Sequence, residues 1–135
     1  MRTLVADAFD TNVVLYLLSG DAAKANRAAQ LLERGGTISV QVLNDFTAVA
    51  IRKFGMKISE IREILATVRR LCEVRPLDIE THDRALDLAQ RHRLSIYDAL
   101  IVAAAMRAGC TTLWTEDLHH GQKVERLTIR NPFIG

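Results

Sequence analysis

The sequence predicts a single α/β domain in which a central parallel sheet is flanked by helices. Two observations support this prediction. Short runs of β-branched and apolar residues alternate with longer segments of helical periodicity along the whole chain. Of the 135 residues, 49% are hydrophobic but only 5% are aromatic, which favours a core of aliphatic side chains and alanine, typical of helices packed on a sheet. No linker, repeat or low-complexity segment divides residues 1–135, so we expect one domain.

The predicted elements follow from periodicity and from residues that start or stop helices. A strand begins near Val5 and ends at Asp10, and Thr11 or Asn12 is the expected N-cap of the short helix that follows. Apolar residues at helical spacing predict helices over 22–33, 41–54, 59–71, 80–92 and 95–107, with Ser59 as an N-cap. Strands are predicted over 37–40, 111–115 and 127–129, and the proline-broken run 74–77 is a brief or edge strand.

Charge and cysteine content narrow the class of protein. The net charge of +2 permits contact with nucleic acid without arguing for it. Cys72 and Cys110 lie in apolar helical contexts without metal-binding spacing, as expected of buried, reduced thiols. Arg2 precedes only a short apolar run, which is no secretion signal, and the apolar run 99–106 is too short to span a bilayer. We therefore expect a soluble, cytoplasmic protein without a membrane partner.

Four aspartates stand out by position. Asp10 ends the first strand, and Asp45 lies near the start of the helix after the second. Asp117 follows the strand 111–115, and Asp98 opens the most apolar helix. Because the carboxyl ends of parallel strands share one edge, Asp10, Asp45 and Asp117 are expected to meet there, whereas strand order does not place Asp98. Crowded carboxylates repel one another unless a cation binds, and oxygen-only ligands favour Mg²⁺ or Mn²⁺. Phosphodiester hydrolysis is the chemistry that such a site supports.

Each of these acids also has a purely structural interpretation. Asp10 is able to cap a helix or hold a turn, and Ser95 and Asp98 have the spacing of a capping box. Asp45 suits a polar helix face exposed to solvent, and Asp117 suits an exposed loop. Pattern alone leaves both interpretations open.

Four blocks of the sequence, in this order, resemble VapC-type toxins of the PIN domain family. They are 9–13 (FDTNV), 39–46 (SVQVLNDF), 94–101 (LSIYDALI) and 115–118 (TEDL), the last followed by Gly121 and Gln122. The resemblance covers nearly the whole chain. It implies a Rossmann-like PIN fold and an endoribonuclease that depends on Mg²⁺ or Mn²⁺. It also implies a cognate antitoxin protein as a partner, and a homodimer.

By position, the resemblance makes Asp10, Asp98 and Asp117 the metal-binding acids, with Thr11 supporting the site through its hydroxyl. The family usually has Glu where this chain has Asp45. Because the side chain of Asp45 is one methylene shorter, this fourth catalytic acid reaches the metal only through water or does not bind it. Glu116 is then a candidate to support the site in its place.

The function predicted is that of a toxin ribonuclease acting on RNA. The alternative is a catalytically weakened PIN-like module that binds RNA or protein, in which Asp45 in place of the usual Glu has reduced catalysis. A phosphoacceptor signalling domain is disfavoured, because no Lys follows the late strand. Helices 22–33, 41–54 and 59–71 are expected to leave an apolar groove that suits an amphipathic antitoxin segment. Trp114 and Tyr97 are expected in or near the core, and His119 and His120 at the surface.

Overall fold

The computed structural model describes residues 6–134; Arg2 and Val5, used in the predictions above, lie outside them. In this range the strands are β1 (Asp7–Phe9), β2 (Gly36–Ser39), β3 (Cys72–Arg75), β4 (Thr112–Trp114), β5 (Lys123–Val124) and β6 (Leu127–Arg130). The helices are α1 (Thr11–Leu15), α2 (Ala22–Glu33), α3 (Val40–Phe54), α4 (Ile58–Leu71), α5 (Ile79–His92) and α6 (Ile96–Arg107). A 3₁₀ turn, Tyr16–Leu18, follows α1 directly.

The strands form one sheet in the order β3-β2-β1-β4-β6-β5. Every pair is parallel except β5 with β6, which is antiparallel. The predicted α/β fold with a mostly parallel sheet is therefore confirmed. From β1 the chain builds outward to β2 and β3 on one side, and to β4 and β6 on the other. In an open α/β sheet, the crevice at such a reversal is where ligands bind, at the carboxyl ends of the strands.

The middle of helix α6 is apolar on all sides and is buried on all sides. It packs against α5, α3, β2 and β6, and a continuous run, Ile101–Ala105, is buried. The amphipathic α3 instead buries one face, including Phe46, and is bounded by a Ser39 N-cap and by Gly55 in the left-handed conformation. Cys72 and Cys110 are buried free thiols, as predicted. Among residues 6–134, no helix is both long and apolar enough to cross a membrane.

Two predicted helix starts are wrong. Asp10 does not end a strand but is itself the N-cap of α1, so Thr11 and Asn12 lie inside the helix. The backbone N–H of Asp10 donates to the Trp114 carbonyl (3.0 Å), which continues the pairing of β1 with β4 and fixes where the helix begins. Helix α4 starts before the predicted cap Ser59, at Ile58, because the Glu60 carboxylate accepts from the backbone N–H of Lys57 (2.9 Å).

The predictions also differ from the structure in one strand and one aromatic side chain. The two-residue strand β5 was not predicted, whereas β3 is an edge strand as expected but starts at Cys72, directly after α4. Trp114 is buried as predicted, but 64% of Tyr97 is exposed. Tyr97 lies on the first turn of α6, where the helix emerges from the core.

Candidate active site at the carboxyl edge of the sheet

The candidate site forms where β1 and β4 end side by side. Phe9 pairs with Trp114 in register, so Asp10 and Thr115 each stand one residue beyond the paired strands. Both are buried, and Thr115 Oγ1 donates to Asp10 Oδ2 (2.7 Å). The other oxygen, Asp10 Oδ1, accepts from the backbone N–H of Thr11 (2.6 Å). Two strand ends thus fix the Asp10 carboxyl in the interior of the crevice.

Thr115 is the centre of the hydrogen-bond network, although sequence reasoning gave it no role. Besides donating to Asp10, its hydroxyl oxygen accepts from the backbone N–H of Asp117 (3.1 Å) and from Asn12 Nδ2 (3.3 Å). One hydroxyl therefore joins the helix α1 to the loop that carries Asp117. The signal available in the sequence was its position: Thr115 directly follows the strand that precedes Asp117.

The environment of Asp10 raises its pKa from 3.8 to about 6. Burial is the main cause, because a low-dielectric surrounding disfavours the charged carboxylate. The hydrogen bonds from Thr115 and Thr11 oppose this shift, and the negative charges of Asp117 and Asp98 add to it. Three of the four predicted acids are therefore close enough to interact electrostatically.

Asp98 reaches this edge from the start of α6. Ser95 caps that helix, with its Oγ accepting from the backbone N–H of Asp98 (3.1 Å). Among the described hydrogen bonds there is no reciprocal bond from Ser95 N to the Asp98 carboxylate, so only half of the predicted capping box forms. Burial raises the pKa of Asp98, Ser95 lowers it, and the charge of Asp117 raises it further.

Asp45 lies at the border of this group. It is on the second turn of α3, partly buried, and both of its carboxylate oxygens accept from Gln41 Nε2 (3.0 and 3.1 Å). The Thr11 hydroxyl lies 3.5 Å from Asp45 Oδ2, at the limit of a hydrogen bond. Asp45 is therefore not a freely solvated surface acid, but its own helix holds it through Gln41.

Glu116 and Tyr16 form the other border. The Tyr16 hydroxyl donates a hydrogen bond to Glu116 Oε1. The pKa of Tyr16 is raised to about 12, first by burial and then by its hydrogen bond with Glu116 and that residue's charge. The hydroxyl therefore stays protonated at neutral pH and remains a donor. His119 and His120 are exposed as predicted, and His120 Nδ1 accepts from the backbone N–H of Asn131 (3.0 Å).

Comparison with known protein families identifies the family of this chain. A model of the PIN domain matches residues 8–124, which is most of the chain and includes all of the acids above. The chain belongs to the PIN domain family. In a direct sequence comparison, no characterised protein matches this PIN domain.

Solved structures similar to this PIN domain share its fold at low sequence identity. A toxin–antitoxin complex from Klebsiella pneumoniae matches with a TM-score of 0.71 and 21% identity, over 94% of this chain and 98% of that one. VapC20 from Mycobacterium tuberculosis, a toxin that cleaves the sarcin–ricin loop, matches with 0.64 and 19%, over 79% and 86%. VapBC2 from Rickettsia felis, bound to a DNA fragment of its promoter, matches with 0.66 and 18%, over 93% and 97%.

The acidic edge of this PIN domain suits a hard divalent cation electrostatically. Its donors are oxygens, and neighbouring carboxylates raise the pKa values of Asp10 and Asp98, a repulsion that positive charge would relieve. The buried amide oxygen of Asn12 has no partner within residues 6–134. In the same range, no three acidic, histidine or cysteine side chains already stand close enough to hold one ion. Binding would therefore require rotation of side chains, for which exposed Asp117 and half-exposed Asp98 have room.

Proposed function

We propose that this PIN domain is an endoribonuclease dependent on Mg²⁺ or Mn²⁺ and acts as the toxin of a type II toxin–antitoxin pair. The observation that carries this proposal is the burial of Asp10, whose pKa is raised by that burial and further by the charges of Asp117 and Asp98. Membership of the PIN family supports it, as does the likeness in fold to the toxin VapC20, to a toxin–antitoxin complex and to VapBC2. The proposal places the protein in the cytoplasm, where its RNA substrate occurs.

In this proposal the metal ion is held by Asp10, Asp98 and Asp117. When bound, a divalent cation supplies the charge that stabilises a phosphodiester during attack by water. Thr115 fixes Asp10 through its hydroxyl and holds the loop of Asp117 through that residue's backbone N–H. Ser95 fixes the turn that presents Asp98.

Thr11 and Asp45 complete the proposed catalytic group. The Thr11 backbone N–H fixes Asp10, while its side chain faces Asp45. Because Asp45 is short and bonded to Gln41, it acts through water rather than as a direct ligand. Glu116, beside Asp117, supports the site from the opposite border.

An apolar groove supports the proposed antitoxin partner. A cleft of about 280 Å³ opens between the 3₁₀ turn, α2 and α4, close to the predicted position but without α3. Its apolar lining includes Leu17, Leu18, Leu32, Ile64, Val68 and Leu71. Such a surface suits the apolar face of an amphipathic helix. The homodimer stays a prediction from the resemblance.

A second candidate function is a PIN module that binds RNA or protein without cleaving it. The engagement of Asp45 by Gln41 favours this candidate, because it withdraws one of the four acids from the site. The two candidates make opposite predictions about metal-dependent cleavage.

The substitution Asp98→Asn tests the proposed function. The parent should cleave RNA only when Mg²⁺ or Mn²⁺ is added, and the variant should lose roughly 100-fold or more in rate, because it lacks the charge that holds the ion. Its melting temperature without metal should equal or exceed that of the parent, since one repulsive charge is gone. Asp83→Asn, at an exposed position on α5, is the matched control. Parent-like cleavage by Asp98→Asn would remove Asp98 from the site. An inactive parent that still binds RNA would favour the second candidate.

A further inference from the structure

Tyr16 makes a contact with the site loop that no predicted role accounts for. Tyr16 lies on the 3₁₀ turn after α1, and Glu116 lies 100 residues later, between Thr115 and Asp117. The hydroxyl of Tyr16 donates to Glu116 Oε1. This hydrogen bond connects the end of α1, the helix that Asp10 caps, to the loop that carries Asp117.

The ring of Tyr16 is fixed by contacts that do not involve its hydroxyl. Phe133, near the end of the chain, meets it edge to face at 4.7 Å between centroids and 71°. Lys24 Nζ lies 5.1 Å from the Tyr16 centroid and 5.3 Å from that of Phe133, within range of cation–π attraction. Arg27 Nε donates to the Pro132 carbonyl (2.9 Å) and ties the same terminal segment to α2. These contacts fix the ring and therefore the position of the Tyr16 hydroxyl beside Glu116.

Glu116 benefits from such a partner, because its side chain is flexible and it stands beside another acid, Asp117, in the chain. A hydrogen bond from a protonated tyrosine to a carboxylate opposes the repulsion between the two acids. The side chain of Glu116 is one methylene longer than that of Asp45, which is bonded to Gln41 on its own helix.

We propose that Tyr16 is a positioning residue that holds Glu116 at the acidic edge, where Glu116 supplies the long-armed carboxylate that Asp45 does not. This inference rests on the proposed metal-dependent function. The segment 131–134 takes part indirectly, because Phe133 and Pro132 fix the ring and the helix beside it.

The substitution Tyr16→Phe removes only the hydroxyl and keeps the ring on Phe133 and Lys24. Loss of a residue that orients a ligand commonly costs 10- to 100-fold in metal affinity or activity. We expect Mn²⁺ affinity, measured by calorimetry, to fall about 10-fold, and kcat to fall similarly. The KM for RNA and the melting temperature without metal should stay at parent values. Tyr97→Phe removes the same group from an exposed tyrosine and is the control.

A double-mutant cycle with Glu116→Gln separates positioning from a purely structural role. If Tyr16 acts through Glu116, the double variant should bind Mn²⁺ no more weakly than Glu116→Gln alone. Additive losses would overturn the inference. So would a Tyr16→Phe protein that binds Mn²⁺ and cleaves like the parent, whether or not its melting temperature falls.

A second, independent variant removes a contact that holds the Tyr16 ring. Phe133→Leu leaves the Tyr16 hydroxyl in place but removes the edge-to-face contact with the Tyr16 ring. Mn²⁺ affinity should therefore fall below that of the parent, but by less than in Tyr16→Phe. An unchanged affinity would contradict the part assigned to the terminal segment. A parent that neither binds Mn²⁺ nor cleaves RNA would overturn the proposed function and this inference with it, whereas an active parent with unaffected Tyr16→Phe overturns the inference alone.

Discussion

Asp10 should make the metal-free protein less stable as the pH rises. Its pKa is 3.8 in an unfolded chain and about 6 in the fold. Between these values the folded protein keeps a proton that the unfolded chain has released, so the free energy of unfolding falls with rising pH. At about 1.4 kcal/mol per pH unit, the whole effect is about 3 kcal/mol, of which about 2 kcal/mol lies between pH 4.5 and 7.5.

The substitution Asp10→Asn should abolish this part of the pH dependence. Urea unfolding of parent and variant in EDTA, from pH 4.5 to 7.5, measures it as the change in their stability difference. Absolute stability is less informative, because Asn also disturbs the bond from Thr115, at a cost of about 1–3 kcal/mol. Asp98, whose pKa is also raised, contributes with the same sign in both proteins. Adding Mg²⁺ at pH 7.5 should restabilise the parent only, since the ion binds the folded state. Parallel curves for the two proteins would refute the electrostatic argument.

Two further predictions concern the network and the partners. Thr115→Val should lower the free energy of unfolding by about 2–4 kcal/mol in urea titrations, because it leaves buried Asp10 and the N–H of Asp117 without their partner; a loss below 0.5 kcal/mol would argue against its central role. In sedimentation experiments the protein alone should form a dimer. When the product of an adjacent reading frame is added, a larger complex should form. The substitution Leu71→Asp in the groove should abolish that larger complex. A strict monomer, or a complex indifferent to Leu71→Asp, would contradict these assignments.

The helices and the mostly parallel sheet were predictable because local signals agree with the fold. Segments 41–54 and 80–92 were predicted to within one residue, since amphipathic spacing and caps define them. The N-cap of α1 was not predicted correctly, because Asp10, Thr11 and Asn12 are all good capping residues. The hydrogen bond from the backbone N–H of Asp10 to the Trp114 carbonyl decides among them. Strand β5 has two residues, too few for any periodic signal. Tyr97 was misplaced because α6 is apolar on every side and its pattern identifies no exposed face.

The candidate site was predictable in its acids but not in what holds them. The shared carboxyl edge of parallel strands predicted that Asp10, Asp45 and Asp117 meet, and the resemblance added Asp98. Asp45 lies at the border instead, held by Gln41 on its own helix. The hydroxyl of Thr115 and the reach of Tyr16 depend on side chains that meet from positions about 100 residues apart, which no local pattern encodes.

The burial of Asp10 separates the two candidate functions. As a helix cap, Asn or Ser would serve equally well without a charge. Keeping a carboxylate there costs the metal-free fold about 3 kcal/mol at neutral pH, against a net stability of typically 5–15 kcal/mol. Asp98 adds a second raised pKa, because its burial and the charge of Asp117 outweigh the hydrogen bond with the Ser95 side chain. A module that only binds RNA has no use for this cost, because an acidic crevice repels phosphates. A cation held by the same carboxylates removes the cost and turns the repulsion into attraction. The charge distribution therefore favours the nuclease over an inactive module that binds RNA.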